Sequence, residues 1–222
     1  MIRWHTKRTG LIGLCALGAL GFLLGCEADV SEDCGGMGAV VSCLSVDRVT
    51  PVDNDGTPSS NVDASADLCP PDGTFEPFGD HDAEVTFSNR AFPGIEGTSA
   101  IANDGSFTIT IVNYSVTYTL NDCPPRATGC PALTGFSVAP GQTITIPPGG
   151  TVTTQLPFVP LRVKEEYVAE GGHLGSSGAG FPFPSYTANY VFTGRTDFIS
   201  TDIRVEASAE FTIGSFNLCD GQ

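Results

Sequence analysis

The sequence predicts an all-β fold, an antiparallel β-sandwich of about seven strands. Three observations predict it. From about residue 83 apolar and polar residues alternate, the period of strands with one buried face. Pro and Gly break that alternation at short intervals, as two stacked antiparallel sheets require. After the opening segment no stretch carries a convincing helical period.

The strands follow in order. Residues 85–87 form the first. In Ser106-Phe107-Thr108-Ile109-Thr110-Ile111 the residues Phe107, Ile109 and Ile111 point one way and the polar ones the other. The phase then slips by one. Tyr114, Val116, Tyr118 and Leu120 make the next inward set, which places a bulge or bend at Val112-Asn113. Residues 143–146 are a strand cut by the turn Pro147-Pro148-Gly149-Gly150, and residues 151–158 are another. Tyr186, Ala188, Tyr190 and Phe192 alternate. The last strand is the longest. Ile203, Val205, Ala207, Ala209, Phe211 and Ile213 face in, and Arg204, Glu206, Ser208, Glu210 and Thr212 face out. It is expected inside the sandwich, not at its edge.

Three of these features resemble the immunoglobulin-like domains of the late-embryogenesis and water-stress type. They are the Asn113-Tyr114-Ser115-Val116-Thr117-Tyr118 strand, the Ile146-Pro147-Pro148-Gly149-Gly150-Thr151-Val152 turn and the paired final strands. The layout is also similar to small lipoproteins of Gram-negative envelopes. The resemblance implies an immunoglobulin-like sandwich and brings no catalytic residue or cofactor with it. The disulfide-tied Trp of antibody domains is missing, since Trp4 is the only Trp.

Ahead of the sandwich lies a different segment. Arg3, Lys7 and Arg8 are followed by fifteen residues, 11–25, without charge or Pro. As a helix these span about 22 Å, short of the roughly 30 Å of a bilayer core. A charged start, a short apolar run and small residues at its end describe an export signal. Leu23-Leu24-Gly25-Cys26 resembles the lipobox of bacterial lipoproteins. That resemblance implies cleavage between Gly25 and Cys26, a diacylglyceryl group on the Cys26 thiol and an acylated amino terminus. Two or more chains hold a protein firmly at a membrane. Glu27 is a weaker version of the Asp that retains such proteins at the inner membrane, so outer-membrane delivery is expected. The expected organisation is a signal peptide over 1–25, a lipid-anchored acidic tether over 26–68 and the sandwich over 69–222.

Removing the signal deletes three of ten basic residues and no acid, which leaves 25 acids against 7 bases and a net of −18. That charge disfavours nucleic acid and anionic lipid as partners. Residues 27–82 hold thirteen acids and one base, Arg48, with sparse apolar content, the composition of a flexible tether. Six cysteines follow Cys26: Cys34, Cys43, Cys69, Cys123, Cys130 and Cys219. An even number in an exported chain reads as three disulfides, with fifteen pairings possible. Proximity points to Cys34 with Cys43 and Cys123 with Cys130, leaving Cys69 for Cys219. No Cys-x-x-Cys spacing supports a metal or haem site.

Catalytic signals are weak. Gly175-Ser176-Ser177-Gly178-Ala179 falls one residue short of a nucleophile elbow and lacks the flanking strand and helix. Asp53, Asp55 and Asp63 could serve a loose calcium site, and Asp80-His81-Asp82 a metal, but an EF-hand is excluded by Pro51 and Val62 at its end positions. Glu165, Glu166 and Glu170 have no opposing carboxylate for glycosidase work. The Gly-rich stretch Gly171 to Ser185 is long for a hairpin and has the character of a binding loop. The expected function is a non-enzymatic, membrane-anchored sandwich that binds or scaffolds an envelope protein or glycan. The alternatives are an envelope hydrolase and a calcium-dependent adhesion module.

Overall fold

The computed structural model describes residues 32–33, 42–53, 56–69, 73–76, 78–91, 107–175, 182–197 and 202–216. In chain order the strands are β1 (Glu32–Asp33), β2 (Ser42–Val52), β3 (Asn61–Asp63), β4 (Leu68–Cys69), β5 (Thr74–Phe75), β6 (His81–Ala91), β7 (Ile109–Asp122), β8 (Phe136–Val138), β9 (Ile144–Ile146), β10 (Thr151–Val159), β11 (Ser185–Thr196) and β12 (Asp202–Gly214). One helix, α1 (Leu161–Ala169), lies between β10 and β11. The chain is an all-β sandwich. A four-stranded antiparallel sheet runs β1-β2-β6-β10. A six-stranded sheet runs β3-β12-β11-β7, with β8 and β9 sharing the far side of β7. Within it only the β3–β12 pair is parallel.

The core is the apolar faces of both sheets. Phe87 of β6 meets Phe192 of β11 edge-on at 4.9 Å between ring centroids. Phe158 of β10 meets Phe211 of β12 in the same way at 5.0 Å. Tyr190 stacks on Phe192 at 5.3 Å. The six inward residues expected of the last strand are all buried, and Arg204, Glu206 and Glu210 are exposed. The strand has β11 on one side from Asp202 to Thr212 and, among the described residues, β3 on the other only at residues 212–214, so over most of its length it runs along an edge and not in the interior place expected. The expected slip at Val112-Asn113 is also present. The ladder skips Val112 between the pairs Thr193↔Asn113 and Gly194↔Ile111. Gly194 sits tightly there: a Cβ would come within 2.9 Å of the Ile109 side chain and 3.0 Å of the Leu44 side chain, which would have to shift.

Three further expectations are corrected. The tether does not extend to residue 68. Residues 42–52 form β2, flanked by β1 and β6, and bury Leu44, Val46, Val49 and Val52. The ladder slips between Val46 and Arg48, so the inward phase changes mid-strand and the alternation is hidden. Residues 61–63 join the second sheet. A helix exists where no helical period was read. Its buried residues are Val163, Lys164 and Tyr167, so a Lys sits where an apolar residue would signal the helix. Its first amide, Leu161 N, donates to Asp80 Oδ1 at 2.7 Å, a cap supplied from a distant segment. Strand β7 runs unbroken across the slip at Val112, from Ile109 to Asp122. Finally, Leu120 is 42% exposed although it pairs in phase with buried Tyr186, so the inward set ends at Tyr118.

Cys123 and Cys130 are joined as expected, with Cα atoms 5.9 Å apart. Cys43 and Cys69 are disulfide-bonded too. Their expected partners, Cys34 and Cys219, lie outside the described residues, as do Gly25 and Cys26 of the lipid-attachment site.

Candidate functional site

On one side of the sandwich β10 ends the four-stranded sheet, and β8 and β9 edge the six-stranded one. Between them opens a groove of about 600 Å³. Its walls are residues 154–157 of β10, the bend 138–142 after β8, and Ile144 and Tyr114. Gln142, Gln155 and Thr154 offer amides and a hydroxyl, while Pro140, Pro157 and Leu156 offer apolar surface. None of the lining residues is Asp, Glu, Lys, Arg or His. Burial, and then the charge of Asp82, push the Tyr114 hydroxyl up to about 12, so the groove is neutral at physiological pH.

Two tyrosines of the six-stranded sheet hold β10 in place beside the groove. Tyr190 Oη donates to Pro157 O at 2.9 Å, and Tyr118 Oη to Phe158 O at 2.5 Å. They act where the ladder from β10 to β6 slips, between Pro157 and Val159. Such carbonyls would otherwise be buried without a donor.

A second cluster is charged and enclosed. Helix α1 carries Lys164 inward until it is only 1% exposed. Its Nζ donates to Gly79 O at 2.7 Å and lies 5.1 Å from the centre of the Phe78 ring. Burial lowers its pKa to about 8, against the pull of Asp63, Asp80 and Asp82. His81 is buried as well. Burial, and then Lys164, lower it to about 4, so the neutral ring donates from Nε2 to Ser59 O at 3.3 Å.

Among the described acids Asp63 is the most perturbed. Its Oδ1 accepts from Phe216 N at 3.0 Å and Ser65 N at 3.4 Å. Its Oδ2 is buried and meets no donor. Burial first, and then the Glu76 carboxyl beside it, raise its pKa from 3.8 to about 7. Glu76 Oε1 in turn accepts from Asp67 N at 2.9 Å, and Asp67 Oδ2 accepts from Ser215 Oγ at 3.1 Å. The cluster fastens the segment after β3, the segment after β5 and the end of β12.

The candidates read from the sequence are scattered by the fold. Asp80 caps the helix, His81 turns into the core and Asp82 is partly exposed. Asp53 Oδ1 accepts from Thr57 N within its own turn at 3.1 Å, Asp63 is in the carboxyl cluster, and Asp55 lies outside the described residues. Among the described residues no group of three or more His, Cys, Asp or Glu is arranged to hold a metal. Ser176 and Ser177 lie outside the described residues. His173 is held beside the Cys123–Cys130 loop, its Nδ1 accepting from Thr128 N at 3.3 Å. The described ends of the Gly171-to-Ser185 stretch fold back on the sandwich. The Phe183 ring packs tilted against Phe216 at 4.4 Å between centroids, and Ser215 N donates to Leu174 O at 2.6 Å.

Sequence reading missed the groove, because its wall residues come from four separated elements. It also missed the role of Lys164, although a solitary Lys beyond the signal was a usable cue.

No protein-family model matches the chain, and no curated protein does. Among solved structures it is similar to a protein from Archaeoglobus fulgidus at 9% identity, over 75% of this chain and 96% of that one, with a TM-score of 0.35.

Proposed function

We propose that the chain is an exported lipoprotein of the bacterial cell envelope, anchored through Cys26 and delivered to the outer membrane. Its sandwich binds or scaffolds another envelope component through the groove beside β10, without catalysing a reaction. The observation that carries this reading is the groove's chemistry. A neutral cavity of about 600 Å³ lies on a chain whose mature form has a net charge of −18. Its amides, hydroxyl and prolines suit recognition of an uncharged partner. Hydrolysis needs a nucleophile, a base and oxyanion donors that converge, and the groove lining offers the Thr154 hydroxyl with no basic side chain among its residues. The disulfide state of Cys43, Cys69, Cys123 and Cys130 supports an oxidising compartment. The Leu23-Leu24-Gly25-Cys26 signal supports the anchor.

Two measurements test the reading. Cys26→Ser should abolish labelling by a fatty-acid probe and release the protein from membranes; undiminished labelling sinks the anchor. A photo-crosslinking residue at Gln142 should capture a neighbour in intact cells, and the same residue at exposed Arg204 should not. Equal capture at both sites, or none at either, overturns the groove as the contact site.

A further inference from the structure

The groove offers main chain as well as side chains. β10 pairs with β6 on one side, and among the described residues no strand pairs with the other. An open edge displays unpaired N–H and C=O groups that recruit strands, so proteins shorten, charge or bulge their edges. The other outermost strands here follow that rule. β1, β3, β8 and β9 are two or three residues long. Among the described residues β12 has no partner on its outer side before residue 212, but it carries Asp202, Arg204, Glu206 and Glu210. β10 is different. It is nine residues long and carries no charge. Its protection is confined to its end, where Pro157 removes a donor and the ladder slips. Among the described residues no strand pairs with the outer side of Thr151 to Leu156, and residues 154–157 form one wall of the groove.

We propose that an extended polypeptide segment adds to β10 as a further strand. This rests on the binding reading above and names its ligand class. The partner's main chain ladders onto Thr151 to Leu156, about 20 Å of edge, and every second side chain enters the groove between Thr154 and Gln142. The open ladder is what selects a polypeptide. Only a peptide backbone presents donors and acceptors at strand spacing, with the alternate side chains supplying specificity. Charge narrows the class further. A body of net −18 repels acidic segments and a second copy of itself, and the neutral groove gives no counter-ion to a buried charge. The segment is therefore uncharged or weakly basic, with small aliphatic or hydroxyl side chains toward the groove.

The experiment pans a random-peptide library against the purified full chain and resynthesises an enriched peptide. Methylating one alternate set of its backbone amides should weaken binding about tenfold or more, as loss of ladder hydrogen bonds implies. Methylating the other set should leave it unchanged. Gly141→Trp should abolish binding without shifting the melting temperature, because nothing lies within 4 Å of a Cβ at that site. The proposal is overturned if both methylated sets bind alike, if Gly141→Trp binds like the parent, or if no peptide is enriched. Slow hydrogen exchange of every amide from Thr151 to Leu156 in the free chain also overturns it, since the edge would already be covered. A neutral glycan bound by the parent and lost in Gly141→Trp would overturn the peptide strand yet leave the binding reading standing. If neither ligand nor cellular cross-link depends on the groove, both fall.

Discussion

Replacing Asp63 by Asn should stabilise the protein at about pH 8 and change it little at about pH 4. The wild-type carboxyl binds its proton more tightly in the folded chain, with its pKa raised from 3.8 to about 7. The folded state therefore loses stability as pH rises through that window, and the loss is complete above it. At about 1.4 kcal/mol per pK unit the full displacement corresponds to about 4 kcal/mol. Water entry and local rearrangement relieve part of a buried charge's penalty, so the expected gain from Asn is about 2 kcal/mol. The geometry permits the exchange. Asn keeps an oxygen to accept from Phe216 N and Ser65 N, and its new amide hydrogens meet the Glu76 carboxyl where Oδ2 now meets no donor. His81 acts with the opposite sign. Its folded pKa is lowered from 6.5 to about 4, so its contribution to stability rises with pH over that range. The two trends offset each other in the wild type. The difference between variant and wild type removes His81 and leaves Asp63 together with its pull on Lys164. Urea melts of both proteins at the two pH values measure it. A variant that loses as much stability at pH 8 as at pH 4 would show that the Asp63 carboxylate is a net stabiliser and that the reasoning fails.

Val205, 1% exposed and paired with Phe192, should not tolerate Asp, whose buried charge costs several kcal/mol. Glu206→Lys should alter stability by no more than about 1 kcal/mol; thermal melts showing the reverse order would invert the strand's register. Tyr190→Phe removes the donor to Pro157 O and should cost about 1–2 kcal/mol; a neutral result in chemical denaturation would mean that carbonyl finds another donor. Changing both Cys123 and Cys130 to Ser opens a loop of sequence separation 7 and should cost about 2.5 kcal/mol. An unchanged melting temperature would place that loop outside the cooperative unit.

The sandwich was legible where alternation ran unbroken. Tyr186 to Phe192 and Ile203 to Ile213 each keep one phase along the strand, and the buried set matches the sequence pattern residue for residue. β2 was illegible for a local reason. One slip beside Asp47 divides Leu44 and Val46 from Val49 and Val52, so neither half is long enough to signal a strand within an acidic stretch. Helix α1 is nine residues long and depends on Asp80 for its cap, which sequence spacing does not reveal. The groove is a product of pairing order. Gln142 and Gln155 become neighbours only once β9 pairs with β7 and β10 with β6.

All five tyrosines of the chain lie in the core or packed against it, and the single Trp is at position 4, within the segment read as signal peptide. The mature protein would therefore contain no indole, and its near-ultraviolet spectrum would belong to tyrosine. Burial holds every one of those phenols above its ordinary pKa, with Tyr114 and Tyr186 near 12 and Tyr118, Tyr167 and Tyr190 displaced upward as well. Phenolate is thus suppressed until the sheets separate, and alkali itself drives that separation because each phenol binds its proton more tightly when folded. Base titration would register as one abrupt rise in absorbance in place of a gradual curve centred near 10. The molecule carries its own colorimetric gauge of unfolding, with no label attached.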